Sequence, residues 1–283
     1  MRIVVTGATG TVGGAVLRRL LNSGHGAVAA VRQPDGRDLP DGAEAVPFDF
    51  TDASTHRPAL DGADGLFLMR PPAVSDTERY VNPVVDAAEA AGVRRIAFLS
   101  VLGAGKNPLL PHRATEKRLE ASPLDAALLR AANFMQNLAE QHADDVRAGR
   151  IAVPAGTGRT SFVDARDVGD VAAAWLARDV PAAGGTEALD LTGPEALDYF
   201  EVAATLSDVL GRRVVYTRPG AVGFFLHKQK EGAPIAFAGV MTGIYTATRL
   251  GLADRVTDTV ERVLGRPART VRQFAEDYRE TWT

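Results

Sequence analysis

Gly7, Gly10 and Gly13 stand directly behind the apolar run Ile3-Val4-Val5, and no other feature of the chain narrows its possible folds as far. Past the glycines, Val12, Val16, Leu17, Leu20 and Leu21 recur at the spacing of one helix face. A strand, a glycine turn and an amphipathic helix in that order open a βαβ unit of the kind that binds a dinucleotide. Glycines at such a turn let the backbone approach a pyrophosphate, and the helix N-terminus supplies free N–H groups with a partial positive charge. Gly7, Thr9, Gly10, Thr11, Val12 and Gly13 are therefore the first candidate binding residues, with a plain tight turn as the alternative.

The second apolar run, residues 27–31, ends at Arg32. A site selective for NAD places Asp or Glu about 20 residues after the glycines, to accept hydrogen bonds from the ribose 2′-hydroxyl. Arg32 stands there instead, followed by Gln33, and Asp35 is the only acid close by. A guanidinium pairs with a 2′-phosphate through charge-assisted hydrogen bonds, whereas a carboxylate repels it. The expected cofactor is NADP(H); the alternative for Arg32 is a solvated charge at a strand end.

Short apolar runs continue at 45–49, 65–69, 96–100 and 126–130, separated by helical patterns. One such pattern covers 77–91, with Val81, Val84, Val85 and Ala88 on one face and Gly92 as its C-cap. Near-continuous apolar strands between helices predict an α/β fold, a Rossmann doubly wound parallel sheet with helices on both faces. Ligands then gather at the carboxyl ends of the strands: residues 6–13, Arg32, Asp49-Phe50, Met69-Arg70-Pro71-Pro72 and 100–105. Beyond about residue 150 the pattern changes. Thr160-Ser161-Phe162-Val163-Asp164 leads into an Ala-rich helix, Leu189-Asp190-Leu191 is a short strand, Asp198-x-x-Glu201 resembles a capping box, and Thr270-x-x-Gln273 opens a last helix. Residues 219–250 show little periodicity. Residues 1–150 are thus read as an NADP(H)-binding core. Residues 151–283 are read as a mixed region that returns strands to the core and ends in a smaller α+β substrate cap.

Composition removes several function classes. The chain has no cysteine, which excludes disulfides and thiolate chemistry. Its net charge of −3 gives no basic surface for nucleic acid or anionic lipid. No apolar run reaches membrane-spanning length and the chain enters a strand at once, so a cytoplasmic protein with no membrane partner is expected. An Arg-, Ala- and Gly-rich, Lys-poor composition points to a GC-rich bacterial genome.

The chain resembles the NmrA-like branch of the atypical short-chain dehydrogenases/reductases. The resemblance rests on Gly7-Ala8-Thr9-Gly10-x-x-Gly13, Ala30-Val31-Arg32, Phe98-Leu99-Ser100, His112-x-x-x-Glu116, Leu128-Leu129-Arg130-x-x-Asn133-Phe134-Met135-x-Asn137, Phe162-Val163-Asp164-x-Arg166-Asp167-Val168, Leu191-Thr192-Gly193-Pro194 and residues 265–270. These segments cover the chain almost end to end. The resemblance implies either an NADPH-dependent quinone or azo-dye reductase, or a redox sensor that binds NADP(H) without turnover. It further implies that Asp49 and Phe50 flank the adenine, that Met69 and Arg70 border the cofactor, and that Asn133 lies near the carboxamide. Ala131 and Ala132 depart from the family pattern, which places Pro soon after the Arg.

Common short-chain reductases carry Tyr and Lys four residues apart on a helix, the Tyr donating a proton to a carbonyl oxygen. No such pair exists here: Val84, Ala203, Gly220, Arg249 and Trp282 stand four after the five tyrosines. His112 and Glu116 occupy the matching location on one helix face, where an imidazole beside a carboxylate serves as a proton donor near neutral pH. The alternative is that His112 only starts a helix and Glu116 pairs with Arg113 or Arg118. Ser100 either positions substrate or closes its strand. Asp164 and Asp167 are read as loop ties and helix caps. Phe224, Phe225, His227, Phe237, Met241 and Tyr245 are candidates to line a pocket for a flat or apolar small molecule, or ordinary packing residues. No metal site is expected, and the chain is read as a monomer or homodimer. The leading reading is an NADPH-dependent oxidoreductase acting on a quinone, enone or activated carbonyl. A non-catalytic NADP(H) sensor and a non-redox isomerase or cyclase stand as alternatives.

Overall fold

The computed structural model describes residues 1–35, 39–71, 74–179 and 183–283. The chain divides into two compact units, and it passes between them several times. Met1–Ala131, Ala165–Leu191 and Thr259–Arg266 form the first unit; Ala132–Asp164, Thr192–Asp258 and Pro267–Thr283 form the second.

The first unit is built on strands β1 (Arg2–Thr6), β2 (Gly26–Val31), β3 (Glu44–Pro47), β4 (Gly65–Met69), β5 (Arg95–Val101), β6 (Asp125–Ala131) and the later β10 (Gly185–Leu191). They form one sheet in the order β10-β6-β5-β4-β1-β2-β3, and every pairing is parallel. Its helices are α1 (Thr11–Asn22), α2 (His56–Leu60), α3 (Thr77–Tyr80), α4 (Asn82–Ala91), α5 (His112–Glu120), α7 (Ala165–Leu176) and α11 (Thr259–Leu264). Alternate strand residues decide which helices cover which face. Val4, Val28, Leu66, Leu68, Ile96, Phe98 and Leu128 pack with Leu60, Val84, Val85, Ala88 and Leu119 on one side. Ile3, Val5, Phe67, Ala97 and Leu129 are buried on the other, where α1 and α7 pack together and against β4. Both faces are covered, which is why the strands read as unbroken apolar runs. Each fully buried Leu, Ile, Val or Phe contributes about 1.5–3 kcal/mol of burial. Strand order reverses direction between β1 and β4, so a crevice opens beyond their carboxyl ends.

Two local readings change. The helix expected over 77–91 is two helices, α3 and α4, because Pro83 lacks an N–H and its ring clashes with the carbonyl four residues back. Gly92 does end α4 in the left-handed conformation. The short strand at 189–191 is longer: β10 pairs with β6 through Leu191↔Ala131 and forms the sheet edge.

The second unit holds short strands β7 (Asn133–Phe134), β8 (Arg150–Ile151), β9 (Thr160–Val163), β11 (Ala196–Leu197) and β12 (Val215–Tyr216). They form a β11-β9-β7 sheet and a β12-β8 pair. Around them lie α6 (Ala143–Arg147), α8 (Tyr199–Leu210), α9 (Ala221–Lys230), α10 (Ile235–Arg249) and α12 (Val271–Asp277), over a core that includes Tyr199, Leu206, Phe224, Tyr245, Phe274 and Trp282. The predicted Asp198/Glu201 capping box forms on α8, and the last helix, α12, opens at Thr270 as expected, where Thr270 and Gln273 make a second capping box. The segment without clear periodicity is the helix pair α9 and α10; apolar residues on its exposed face erase the amphipathic pattern. Among the described residues no helix is long and apolar enough to cross a membrane.

Candidate active site

The turn after β1 is closed by its own backbone. Gly10 N donates to Gly7 O at 2.9 Å and Gly14 N to Gly10 O at 2.8 Å. Gly7 sits at φ +62°, and a Cβ on Gly13 would overlap the Gly7 carbonyl, so neither position takes a side chain without strain. Gly10 is the N-cap of α1; no side chain caps the helix and no acidic residue sits in its first turn. The amide end of a twelve-residue helix therefore faces outward with no competing carboxylate, a fit to a dinucleotide diphosphate. Thr6 pins this turn to the switch point: its hydroxyl donates to Phe67 O at 3.0 Å and accepts from Met69 N at 2.9 Å.

Arg32 is exposed one residue past β2 and forms no ion pair with the described residues. Asp49 accepts from Thr51 N and Thr51 Oγ1 through the same oxygen, Oδ1, at 2.8 Å each. The Thr51 backbone N–H, then its hydroxyl, hold this carboxyl below its ordinary pKa against the opposing effect of burial, with Arg32 and His56 adding to the lowering. Phe50 is half-buried edge-on to Phe48. Met69 and Arg70 follow at the end of β4; Pro72 lies outside the described residues.

Beyond β5 and β6 lies a closed ionic network. Glu116 has no exposed surface. Ser100 Oγ donates to Glu116 Oε1 at 2.7 Å, and Arg130 forks onto both oxygens, Nε to Oε1 and Nη2 to Oε2, at 2.9 Å each. Arg113 Nη1 adds a contact to Oε2 at 3.2 Å and pairs bidentately with Glu120. Burial pushes the Glu116 carboxyl up, but Arg130, Ser100 and Arg113 outweigh it and hold the pKa below the ordinary value. Glu116 is therefore ionised at neutral pH. A Cβ on Gly105 would come within 2.5 Å of Arg130 Nη2, so the loop after β5 lies flat on the guanidinium.

The expected imidazole–carboxylate pair is not formed. His112 and Glu116 do share α5, but both Glu116 oxygens are taken by Ser100, Arg130 and Arg113. His112 Nε2 instead meets Arg70 Nε at 3.5 Å, and its Nδ1 is buried without a hydrogen-bond partner. Burial, then the Arg70 charge, push the imidazole pKa down to about 4, with Glu116 pulling weakly the other way. His112 is neutral at pH 7, which makes it a poor acid. Arg70 also donates to Val74 O at 2.6 Å.

Most of the remaining candidates belong to the second unit. Asn133 Oδ1 accepts from Asn137 Nδ2 at 2.8 Å. Tyr245, on α10, is a core residue whose hydroxyl meets His142 Nε2 at 2.5 Å, not a reactive tyrosine. Burial raises its pKa well above the ordinary phenol value. Met241 is likewise buried, while Phe237 is exposed. Phe224 and His227 border a cleft of about 220 Å³ with Arg150, Thr217 and Pro219. Asp164 accepts from Gln136 Nε2 at 2.9 Å. Asp167, in the first unit, accepts from Arg266 at 2.8 Å.

Comparison with known proteins places this geometry. Residues 7–179 match the NAD(P)H-binding family. The chain belongs to that family. It is an NAD(P)H-dependent oxidoreductase of the NmrA-like kind. It is similar to the oxidoreductase YesF of Bacillus subtilis, with 34% identity over 99% of this chain and 96% of that protein. It is 32% identical to the NAD(P)H azoreductase of Xenophilus azovorans, over 97% of this chain and 96% of that protein. Among solved structures, the NADPH-dependent quinone oxidoreductase of Escherichia coli, complexed with NADPH, superposes with a TM-score of 0.87 at 26% identity, covering 99% of this chain and 100% of that one.

In this NmrA-like oxidoreductase, sequence reasoning missed Arg130 as a site residue and named Arg113 only as an alternative partner of Glu116. Arg130 stood in plain view at the end of an apolar strand, where a charge needs a partner. That partner, Glu116, lies on α5 and not on a neighbouring strand, so no local spacing announces the pair. Arg70 was singled out for its position at a strand end, but its contact with His112 joins elements 42 residues apart.

Proposed function

We propose that this oxidoreductase uses NADPH to reduce a quinone, enone or activated carbonyl compound. One observation carries the reading: among the described residues, the strand ends beside the glycine turn hold no strong proton donor. His112 is neutral, Glu116 is ionised and buried, and no Tyr-x-x-x-Lys pair exists. A simple ketone needs an acid to accept its developing oxyanion, whereas a quinone product is stabilised by its own ring.

When bound, the reduced nicotinamide supplies the hydride and the hard chemistry. The residues of this chain bind and orient. The Gly7–Gly13 turn and the first amides of α1 receive the diphosphate, and the Arg32 guanidinium pairs with the 2′-phosphate. Asp49 keeps Oδ2 free of the described residues to accept from an adenine amino group, with Phe50 beside it. Ser100 commits its proton to Glu116 and so offers a ligand only lone pairs, which makes it a positioning residue rather than an acid. Arg70 stays charged at every working pH and attracts negative charge building on an acceptor oxygen. Water then supplies the proton. The second unit is read as the part that selects the acceptor.

The test follows NADPH absorbance with a panel of quinones, enones and simple ketones. Oxidation with quinones or enones and none with unactivated ketones is expected. Tight NADPH binding with no turnover of any acceptor overturns the reading in favour of a sensor.

A further inference from the structure

Helix α10 carries no charge between Ala233 and Thr248. One of its faces, Ala238, Met241, Tyr245 and Thr248, is buried in the second unit. Its other face is apolar too, yet exposed: Phe237 at 44%, Val240 at 62% and Ile244 at 45%, with Ile235 at 71% at the N-terminal end. Between these ridges Gly239 and Gly243 lie open, with nothing within 4 Å of where a Cβ would stand. Helix α9, which packs against α10, adds Val222 at 74% and Leu226 at 53%. Single exposed apolar residues are ordinary; these six expose on the order of 500 Å² from two adjacent helices, the size at which a patch marks an interaction surface.

We propose that this face docks a second copy of the same chain, with α10 antiparallel to α10 of the partner. Three observations select that occupant over another protein. The face is self-complementary: the Phe237, Val240 and Ile244 ridges meet a shallow groove at Gly239 and Gly243, the relief that lets two helices approach closely. An antiparallel two-fold arrangement about Val240 brings Arg249, at the C-terminal end of α10, toward the N-terminal end of the partner's α10, beside which Glu231 of the partner subunit caps α9. Arg249 is exposed and pairs with no described residue, while Glu231 meets the largely covered Lys228 and the exposed His227 and keeps 43% of its own side-chain surface in water. About 500 Å² from each copy also gives roughly 1,000 Å² in total, the threshold for a specific interface.

Light scattering coupled to size exclusion tests this between about 1 and 100 µM, where a mass-action dimer declares itself. The chain is expected to run as a dimer at the upper end. Val240→Glu, which places two carboxylates on the axis, is expected to give a monomer with unchanged circular dichroism. Phe237→Asp is the second variant, read in its place where Val240→Glu does not fold. Arg249→Glu is expected to weaken the dimer at least tenfold, and Glu231→Arg in the same chain to restore it. A monomer at every concentration overturns the proposal. So does a dimer that Val240→Glu and Phe237→Asp leave intact, and so does a raised KM for the acceptor with no change in mass, which assigns the face to substrate.

Discussion

Replacing Glu116 by Gln keeps the shape of the side chain and removes its charge at the centre of the network beyond β5 and β6. The carboxylate accepts four hydrogen bonds from three donors, two on each oxygen. Gln offers one acceptor oxygen and one NH₂, so either amide orientation sets a donor against two donors. Removing one partner of a buried ion pair costs about 3–5 kcal/mol. Arg130 and Arg113 keep 17% and 18% of their side-chain surface in water, which recovers part of that, so the expected loss is about 2–4 kcal/mol. For a chain of this size the loss corresponds to a Tm lower by roughly 3–7 °C. Urea unfolding measures the free energy directly, with the m-value unchanged because the folded surface is unchanged. The pH dependence gives an independent sign. The folded-state pKa of Glu116 is depressed, so its stabilisation is fully present above the ordinary carboxylate range. It fades as pH falls through the lowered folded value, and the variant should lack that part of the acid limb. A loss below about 0.5 kcal/mol, the range of ordinary surface substitutions, refutes the network as a structural keystone.

Arg32→Ala should weaken NADPH binding about 10- to 100-fold while leaving NADH binding unchanged, the loss of one charge-assisted contact; isothermal titration with both cofactors reads it, and equal losses for both contradict the assignment. Gly13→Ala should abolish cofactor binding at concentrations that saturate the unchanged protein, because the new Cβ overlaps the Gly7 carbonyl; unchanged affinity shows the turn is not the cradle. His142 is buried with its pKa pushed down to about 4, so the folded state resists a proton that the unfolded chain takes up near its ordinary value of about 6.5. Stability should therefore fall from about pH 6.5 toward pH 4 by roughly 1.4 kcal/mol per pH unit for this group, and His142→Gln should flatten that slope in urea titrations at pH 7 and pH 5.

Much of the fold was legible because its signals are local. The strand–glycine–helix opening, the apolar runs that became β1 to β6 and the Asp198/Glu201 capping box each declare themselves within a dozen residues. The break at Pro83 was readable from the proline alone, yet the clean apolar face of Val81, Val84, Val85 and Ala88 spoke for one helix, and that face is indeed buried. Helix α10 escaped because a helix apolar on both faces has no period to detect. The binding side of the site followed from the glycines and Arg32. The chemistry around Glu116 did not, because a buried carboxylate takes its meaning from partners brought in by other elements. The motif His112-x-x-x-Glu116 placed both residues on one helix correctly but could not show that Ser100 and Arg130 would claim the carboxylate first.

The most direct test of the account titrates the purified protein with NADPH and NADH and then adds a quinone to the NADPH-saturated enzyme. The account predicts tighter binding of NADPH than of NADH, followed by rapid oxidation that persists in His112→Ala, since the neutral imidazole is not the acid. Equal binding of the two cofactors contradicts the role of Arg32, and an NADPH complex that no quinone or enone oxidises contradicts the reductase itself.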